Sequence, residues 1–84
     1  MFWKIFLLIG IALAHPDNNL VGPGNVVIQG KGNTAIGKEN LIDGYYNFLK
    51  GSYNQAFGDE NKIYGDNNKV YGQSNLIVGE GNFV

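Results

Sequence analysis

The chain contains no cysteine, and its 84 residues include a single histidine, His15. Without thiols it forms neither disulfides nor thiolate metal sites. His15 is a candidate copper ligand if cleavage makes it the amino terminus, but a second histidine to complete the site is missing. No group of residues resembles a catalytic constellation either. The sequence therefore predicts no enzyme activity, no metal and no cofactor.

An excess of charge is also missing, because the formal net charge is -1 at pH 7. Nucleic-acid-binding proteins usually present a basic surface, so no nucleic-acid partner is expected. Asp59, Glu60 and Asp66 do not follow the Gly-Gly-x-Gly-x-Asp repeat of calcium-binding β-rolls, and we expect them to be solvated. The chain has no Asn-x-Ser/Thr sequence and thus no N-glycosylation signal.

No apolar run reaches the ~20 residues that a transmembrane helix needs. The run "IFLLIGIALA" ends at Ala14, follows Lys4, and closes on the small-x-small pattern Ala12-Leu13-Ala14. That pattern is typical of a signal peptide, whereas the run is short for a membrane anchor. The sequence predicts a signal peptide over residues 1–14. It also predicts a secreted, extracellular mature chain over residues 15–84, with no membrane association.

Glycine and asparagine are abundant, at 13 and 12 residues, and most of them belong to one seven-residue repeat, Gly-x-x-Asn-x-apolar-x. Ten units run from His15 to Val84, with Gln29 as one inserted residue. The first unit begins where the predicted signal peptide ends. The glycines of the repeat are Gly22, Gly30, Gly37, Gly44, Gly51, Gly58, Gly65, Gly72 and Gly79, and its asparagines are Asn18, Asn25, Asn33, Asn40, Asn47, Asn54, Asn61, Asn68, Asn75 and Asn82.

A seven-residue period is also that of a coiled coil, but glycine and asparagine in every unit disfavour a helix, and each unit holds one consistent apolar position rather than two. The segment Asn-x-apolar-x alternates like a short strand, and Gly-x-x is typical of a turn. Short strands at fixed spacing predict an all-β parallel solenoid. Two strands per coil of about fourteen residues are favoured over three, which gives about five coils and a rod of roughly 24 Å. Gln29 is expected to form a bulge.

The strand pattern separates inward from outward side chains. The asparagines share the inward parity with one apolar residue per strand, and stacked amides can satisfy one another in the interior. We therefore predict that the ten asparagines form a structural ladder and that the glycines serve the turns. The inward apolar positions form two rows, Leu20, Ala35, Leu49, Ile63 and Ile77 in one sheet and Val27, Ile42, Ala56, Val70 and Val84 in the other.

The segments "NTAIG", "NKIYG", "NKVYG" and "NLIVG" resemble the x-x-N-x-V-x-G repeat of the ryegrass-type ice-binding (antifreeze) β-rolls. They are similar, more loosely, to the β-roll head repeats of trimeric bacterial adhesins. The resemblance covers the whole mature chain and implies a left-handed parallel β-roll with two strands per coil. Ice-binding rolls present ladders of threonine and similar small residues, whereas the corresponding positions here include one threonine, Thr34.

The outward positions are rich in apolar residues, which make up 12 of 19. Large exposed apolar patches are typical of interaction surfaces, and a repeat without polar caps exposes strand edges. Our first hypothesis is therefore a structural subunit that self-assembles end to end into an extracellular fibre or coat. The alternative is a β-roll that binds ice or a polysaccharide surface. Candidate contact residues are Val21, Ile36, Phe48, Phe57, Tyr64, Tyr71, Leu76, Val78 and Phe83.

Three tyrosines fall outside these rows. Tyr45, Tyr46 and Tyr53 follow the repeat glycines and are predicted to lie in turns. Aromatic rings in such positions can stack on sugars, although packing along the edge of the rod is the expectation that the sequence favours.

Overall fold

The computed structural model describes residues 17–84. The predicted signal peptide, residues 1–14, and the candidate ligand His15 lie outside the described residues, so the leader and the domain boundary stay predictions. Within residues 17–84 all regular structure is β-strand. The strands are β1 (Asn19–Val21), β2 (Val26–Gln29), β3 (Thr34–Lys38), β4 (Leu41–Tyr45), β5 (Phe48–Ser52), β6 (Gln55–Asp59), β7 (Lys62–Asp66), β8 (Lys69–Gln73) and β9 (Leu76–Glu80).

The strands alternate between two parallel sheets. The odd-numbered strands form a five-stranded sheet in the order β1-β3-β5-β7-β9, and the even-numbered strands form a four-stranded sheet in the order β2-β4-β6-β8. Leu49 pairs with Ile63, fourteen residues further along, which is the advance of one coil. The prediction of a parallel β-solenoid with two short strands per coil is therefore confirmed.

Nine strands form among the described residues, rather than the ten that five complete coils require. The tenth repeat unit makes only an isolated bridge between Phe83 and Lys69. Its inward residue, Val84, is 46% exposed, unlike the buried residues of the preceding units. The tenth unit is therefore the least regular of the repeat.

The inserted residue Gln29 produces a bulge, as the sequence predicts. The register between β2 and β4 shifts between Val27 and Gln29, so that Gln29 rather than Ile28 pairs with Asp43. Strand alternation without a bulge predicts that Ile28 stands in one outward row with Asp43, Phe57 and Tyr71, and this prediction was wrong for Ile28, whose place Gln29 takes. The bulge confines the extra residue to one sheet.

The core is a single column of side chains between the sheets. Seven apolar residues are buried, and Leu20 and Val27 pack against them in the less complete first coil. Each strand contributes one apolar side chain, so the interior is thin and includes the asparagines at its margins. The buried apolar residues are Ala35, Ile42, Leu49, Ala56, Ile63, Val70 and Ile77.

The repeat glycines lie mostly inside strands rather than in turns, which corrects the assignment made from the sequence. Gly37 and Gly51, for example, are paired within their sheet, and both have positive φ. A Cβ on Gly37 would lie 1.8 Å from the carbonyl oxygen of Gly51 in the next coil. Glycine is therefore required because neighbouring coils approach each other too closely for a side chain.

The residue before each asparagine makes the turn. It has a left-handed conformation at every turn from Gly24 to Gly81, and at six turns it is not glycine. Its backbone N–H also bonds to the preceding coil, as when Glu60 donates to the carbonyl of Tyr45 at 2.9 Å. The six are Glu39, Tyr46, Tyr53, Glu60, Asn67 and Ser74.

Candidate functional site

Two asparagine ladders run along the rod and hold successive coils, with their outward side chains, at a fixed spacing. One joins Asn18, Asn33, Asn47, Asn61 and Asn75, and the other joins Asn25, Asn40, Asn54, Asn68 and Asn82. Six of the ten asparagines are buried. No buried side-chain nitrogen or oxygen in the described part of the chain lacks a hydrogen-bond partner.

Asn47 shows how one rung is satisfied. Its Nδ2 donates to Oδ1 of Asn33 at 3.1 Å and to the carbonyl of Gly58 at 2.8 Å. Its Oδ1 accepts the backbone N–H and the Nδ2 of Asn61, at 3.0 and 3.1 Å. Because each amide connects three coils, the ladder holds successive strands in one fixed arrangement.

We call the outward surface of the five-stranded sheet face A. It carries two rows, in which residues of successive strands stand side by side. The register is continuous from β1 to β9 with no bulge. The first row contains Asn19, Thr34, Phe48, Lys62 and Leu76, and the second contains Val21, Ile36, Lys50, Tyr64 and Val78.

Face A has no carboxylate in either row. The charges in these two rows are Lys50 and Lys62, which lie diagonally across β5 and β7. The two aromatic rings of the rows, Phe48 and Tyr64, occupy the other diagonal with centroids 5.6 Å apart. Val21 and Ile36 lie beside Asn19 and Thr34 at one end of face A, and Leu76 and Val78 lie at the other end. Lysine alternates with aromatic residues in the middle.

We call the outward surface of the four-stranded sheet face B. It is less regular, because it includes the bulge at Gln29. Phe57 stacks on Tyr71 at 4.9 Å, and Tyr71 stacks on Phe83 at 5.8 Å. Lys69 lies over the Phe83 ring at 5.9 Å. These rings stack mainly on one another along the rod.

The structure divides the nine candidate contact residues between the two faces. Six belong to face A, and they are Val21, Ile36, Phe48, Tyr64, Leu76 and Val78. Phe57 and Tyr71 are paired on face B, where Phe83 stacks on Tyr71 and forms a bridge with Lys69. The most exposed of the nine are Val78 and Phe83, at 72% and 75%. The nine residues do not form one patch.

The turns form two edges, and we call the one that follows β2, β4, β6 and β8 the second edge. Tyr45 ends β4 there and Tyr46 makes the turn, with 46% and 62% of their surfaces exposed. A Cβ on Gly32, in the preceding coil, would lie 2.5 Å from Cδ1 of Tyr46. The seven-residue pattern does not predict this contact, because Gly32 is not one of the repeat glycines. The equivalent pair on the other edge is Gly24 and Glu39, where a Cβ on Gly24 would lie 3.0 Å from Cγ of Glu39.

Among residues 17–84, no three His, Cys, Asp or Glu side chains come together in a way that would hold a metal ion. The same residues contain no helix long and apolar enough to cross a bilayer. The expectations of no enzyme activity, no metal and no cofactor stay predictions.

Comparison with known proteins places this architecture in a family. No curated protein matches the chain. The family model described as "Grass antifreeze beta roll" matches residues 11–84, which include every strand of both sheets and both asparagine ladders. The chain therefore belongs to the grass antifreeze beta roll family.

Proposed function

We propose that the protein binds ice and that face A is the surface that contacts the crystal. The observation that supports this choice is the continuous register of face A, which places two outward side chains per coil in straight rows across five strands. A crystal surface repeats in two directions, so a protein surface that repeats along and across its strands can contact it at many points. Face B has four strands and a bulge, which interrupts such an array.

The asparagine ladders support this proposal because they make face A rigid before it meets a ligand. A surface that is already ordered loses little conformational entropy when it binds. The coils are about 4.8 Å apart, as parallel strands require, and each buried asparagine is hydrogen-bonded to its neighbours in the ladder.

The composition of face A also suits a solid, uncharged ligand. It presents apolar side chains, Thr34 and Asn19, and it carries no acidic group in its two rows. It differs from a threonine ladder, and Lys50 and Lys62 interrupt its centre. Binding is therefore expected to rest on the apolar residues of the outer coils, where exposed apolar area is largest.

The test compares one lysine substitution on each face. Ile36→Lys places a charge on face A, and Leu41→Lys places the same charge on face B, at a site that is also partly buried. We expect Ile36→Lys to raise the protein concentration needed to inhibit ice recrystallisation about tenfold, and Leu41→Lys to change it less than about twofold. Circular dichroism checks that both variants fold. No inhibition by the parent protein, or a larger loss with Leu41→Lys, would contradict the proposal.

We also propose that the protein acts outside the cell, after removal of residues 1–14. This proposal rests on the apolar run and the Ala12-Leu13-Ala14 pattern. Amino-terminal sequencing of the protein secreted by a eukaryotic host should give His15 as the first residue. A retained Met1 in the secreted or membrane fraction would contradict it.

Self-assembly into a fibre is the second candidate, and the family match supports it less than it supports ice binding. The exposed apolar side chains Leu76, Val78 and Phe83 favour it. Electron microscopy of the parent protein and of the double variant Val78→Lys with Phe83→Lys, over a range of concentrations, tests it. Filaments in the parent that disappear in the variant would support assembly, and discrete particles throughout would contradict it.

A further inference from the structure

The second edge carries two adjacent aromatic side chains that belong neither to the core nor to face A. We propose that Tyr45 and Tyr46 form a carbohydrate-binding site that takes a pyranose unit of a neutral polysaccharide. This site is separate from the proposed ice-binding surface, and it does not depend on it.

The ring of Tyr46 lies on the backbone of the preceding coil. A Cβ on Gly32 would come within 2.5, 2.6 and 3.3 Å of the Cδ1, Cε1 and Cγ atoms of Tyr46. The ring therefore occupies the space that a side chain at residue 32 would need, and glycine at this position lets the ring pack close to the backbone. Because Tyr46 is nevertheless 62% exposed, much of the ring remains open to solvent. A supported ring with an open side is the arrangement on which the C–H groups of a sugar stack.

The backbone around the two tyrosines is held in place. The N–H of Tyr46 donates to the carbonyl of Lys31 at 3.0 Å, and the N–H of Tyr45 donates to Oδ1 of Asp59 at 3.1 Å. Asn47, the next residue, is buried in its ladder. The site is therefore preorganised, so that binding need not order a flexible loop.

The neighbouring polar groups indicate the class of sugar. Lys31 lies one coil before the tyrosines, and Asp59 and Glu60 occupy the corresponding positions one coil after them. Together these side chains offer both donors and acceptors to sugar hydroxyls. Two carboxylates against one ammonium group disfavour a uronic acid or a sulfated sugar, so the ligand class is neutral.

The opposite edge supplies a matched control. Tyr53 occupies the same turn position with φ of 59°, against 58° for Tyr46, and it is 48% exposed. The residue one coil earlier is Glu39 rather than glycine, and the residue before Tyr53 is Ser52 rather than a second tyrosine. Tyr53 therefore lacks both the glycine support and the aromatic neighbour of Tyr46.

The experiment is affinity electrophoresis of the purified protein in native gels that contain soluble β-glucan, xyloglucan or galactomannan, with polygalacturonate as the acidic polymer. Tyr46→Gly should fold, because glycine is native at the same turn position in Gly24, Gly32 and Gly81. We expect retardation by at least one neutral polymer, an affinity about tenfold lower for Tyr46→Gly, and a change of less than about twofold for Tyr53→Gly.

Three results of the electrophoresis would overturn the proposal. These are no retardation of the parent protein by any neutral polymer, equal losses in the two glycine variants, and stronger retardation by polygalacturonate than by the neutral polymers. Ice recrystallisation assays on Tyr46→Gly keep the two functions apart, because we expect its inhibition to equal that of the parent protein. Loss of ice activity in that variant with sugar binding intact would also overturn the assignment of the site.

Discussion

The side-chain oxygen of Asn47 accepts two hydrogen bonds from Asn61, one from its backbone N–H at 3.0 Å and one from its side-chain Nδ2 at 3.1 Å. The donors and the acceptor lie one coil apart. The contact therefore fixes the side chain of Asn47 relative to the backbone of Asn61 in the next coil. If a buried amide of this kind is removed, its partners lose hydrogen bonds that no water can replace. The amide therefore stabilises the rod mainly by keeping those partners satisfied.

Asn47→Ala should destabilise the protein by about 2–4 kcal/mol, because it removes the acceptor of the Asn61 backbone N–H and the side-chain donor to the carbonyl of Gly58. The Nδ2 of Asn61 loses one of its two acceptors and keeps the carbonyl of Gly72. The measurement is the free energy of unfolding from urea titrations followed by circular dichroism. The control is Asn82→Ala, at an exposed rung whose Nδ2 donates to Asn68. We expect the control to cost about 1 kcal/mol or less, and equal effects of the two variants would contradict a buried ladder.

Gly58→Ala should be more damaging than Gly79→Ala, although the two glycines have nearly the same φ, 133° and 131°. The strain of positive φ is common to both, at about 1–3 kcal/mol. A Cβ on Gly58 would lie 1.8 Å from the carbonyl oxygen of Gly72, whereas a Cβ on Gly79 meets only Nδ2 of Asn82 at 3.3 Å. We expect Gly58→Ala to lose at least about 3 kcal/mol more than Gly79→Ala. Similar midpoints in thermal unfolding would show that the coils can separate to admit a methyl group.

Glu60→Gly should raise stability by about 0.5–1 kcal/mol, because glutamate at φ of 58° bears a left-handed penalty that exceeds the entropy cost of glycine. Asn67→Gly is the control, since asparagine tolerates φ of 59° better than other residues. We expect the control to change stability by less than about 0.5 kcal/mol. Chemical denaturation of both variants decides the matter, and a destabilised Glu60→Gly would mean that the glutamate side chain has a structural role.

Replacing Lys50 and Lys62 by threonine should improve inhibition of ice recrystallisation. These two residues are the charges in the rows of face A, and their hydrated ammonium groups stand in its centre. Threonine keeps the strand propensity of the position and removes the charge. Lys69→Thr, on face B, should leave the activity unchanged. A loss of activity in the face A double variant would assign the lysines themselves to ice contact.

The spacing of asparagine and glycine was enough to predict the solenoid, its two strands per coil and the bulge at Gln29. These features follow from a pattern that is repeated in the sequence, and repetition leaves few ways to bury the apolar residues. The inward residues Ile42 and Val70 were assigned correctly for the same reason. The family match over residues 11–84 agrees with the resemblance carried by the repeat.

The details that the sequence did not predict depend on contacts between coils. Gly37 and its equivalents are fixed by close approach of the next coil, and this approach cannot be read from a single strand. The residue before each asparagine has the left-handed conformation, which favours glycine. The sequence does not reveal this preference, because residues such as Glu39 and Tyr53 occupy the position. The ring of Tyr46 meets Gly32, which stands outside the repeat. The composition of the rows on face A did not indicate a ligand.

Gln29 shows how this fold tolerates a change of length. The ladder spans fifteen residues from Asn18 to Asn33 and fourteen from Asn33 to Asn47, and the hydrogen bonds of both steps are intact. An insertion that a bulge can absorb therefore leaves the neighbouring coils unchanged. A tandem duplication of fourteen residues would go further, because it adds one whole coil with its own rung on each ladder. Duplication or deletion of such a fourteen-residue unit would lengthen or shorten the rod, and with it the area of each face, and it would require no new type of contact.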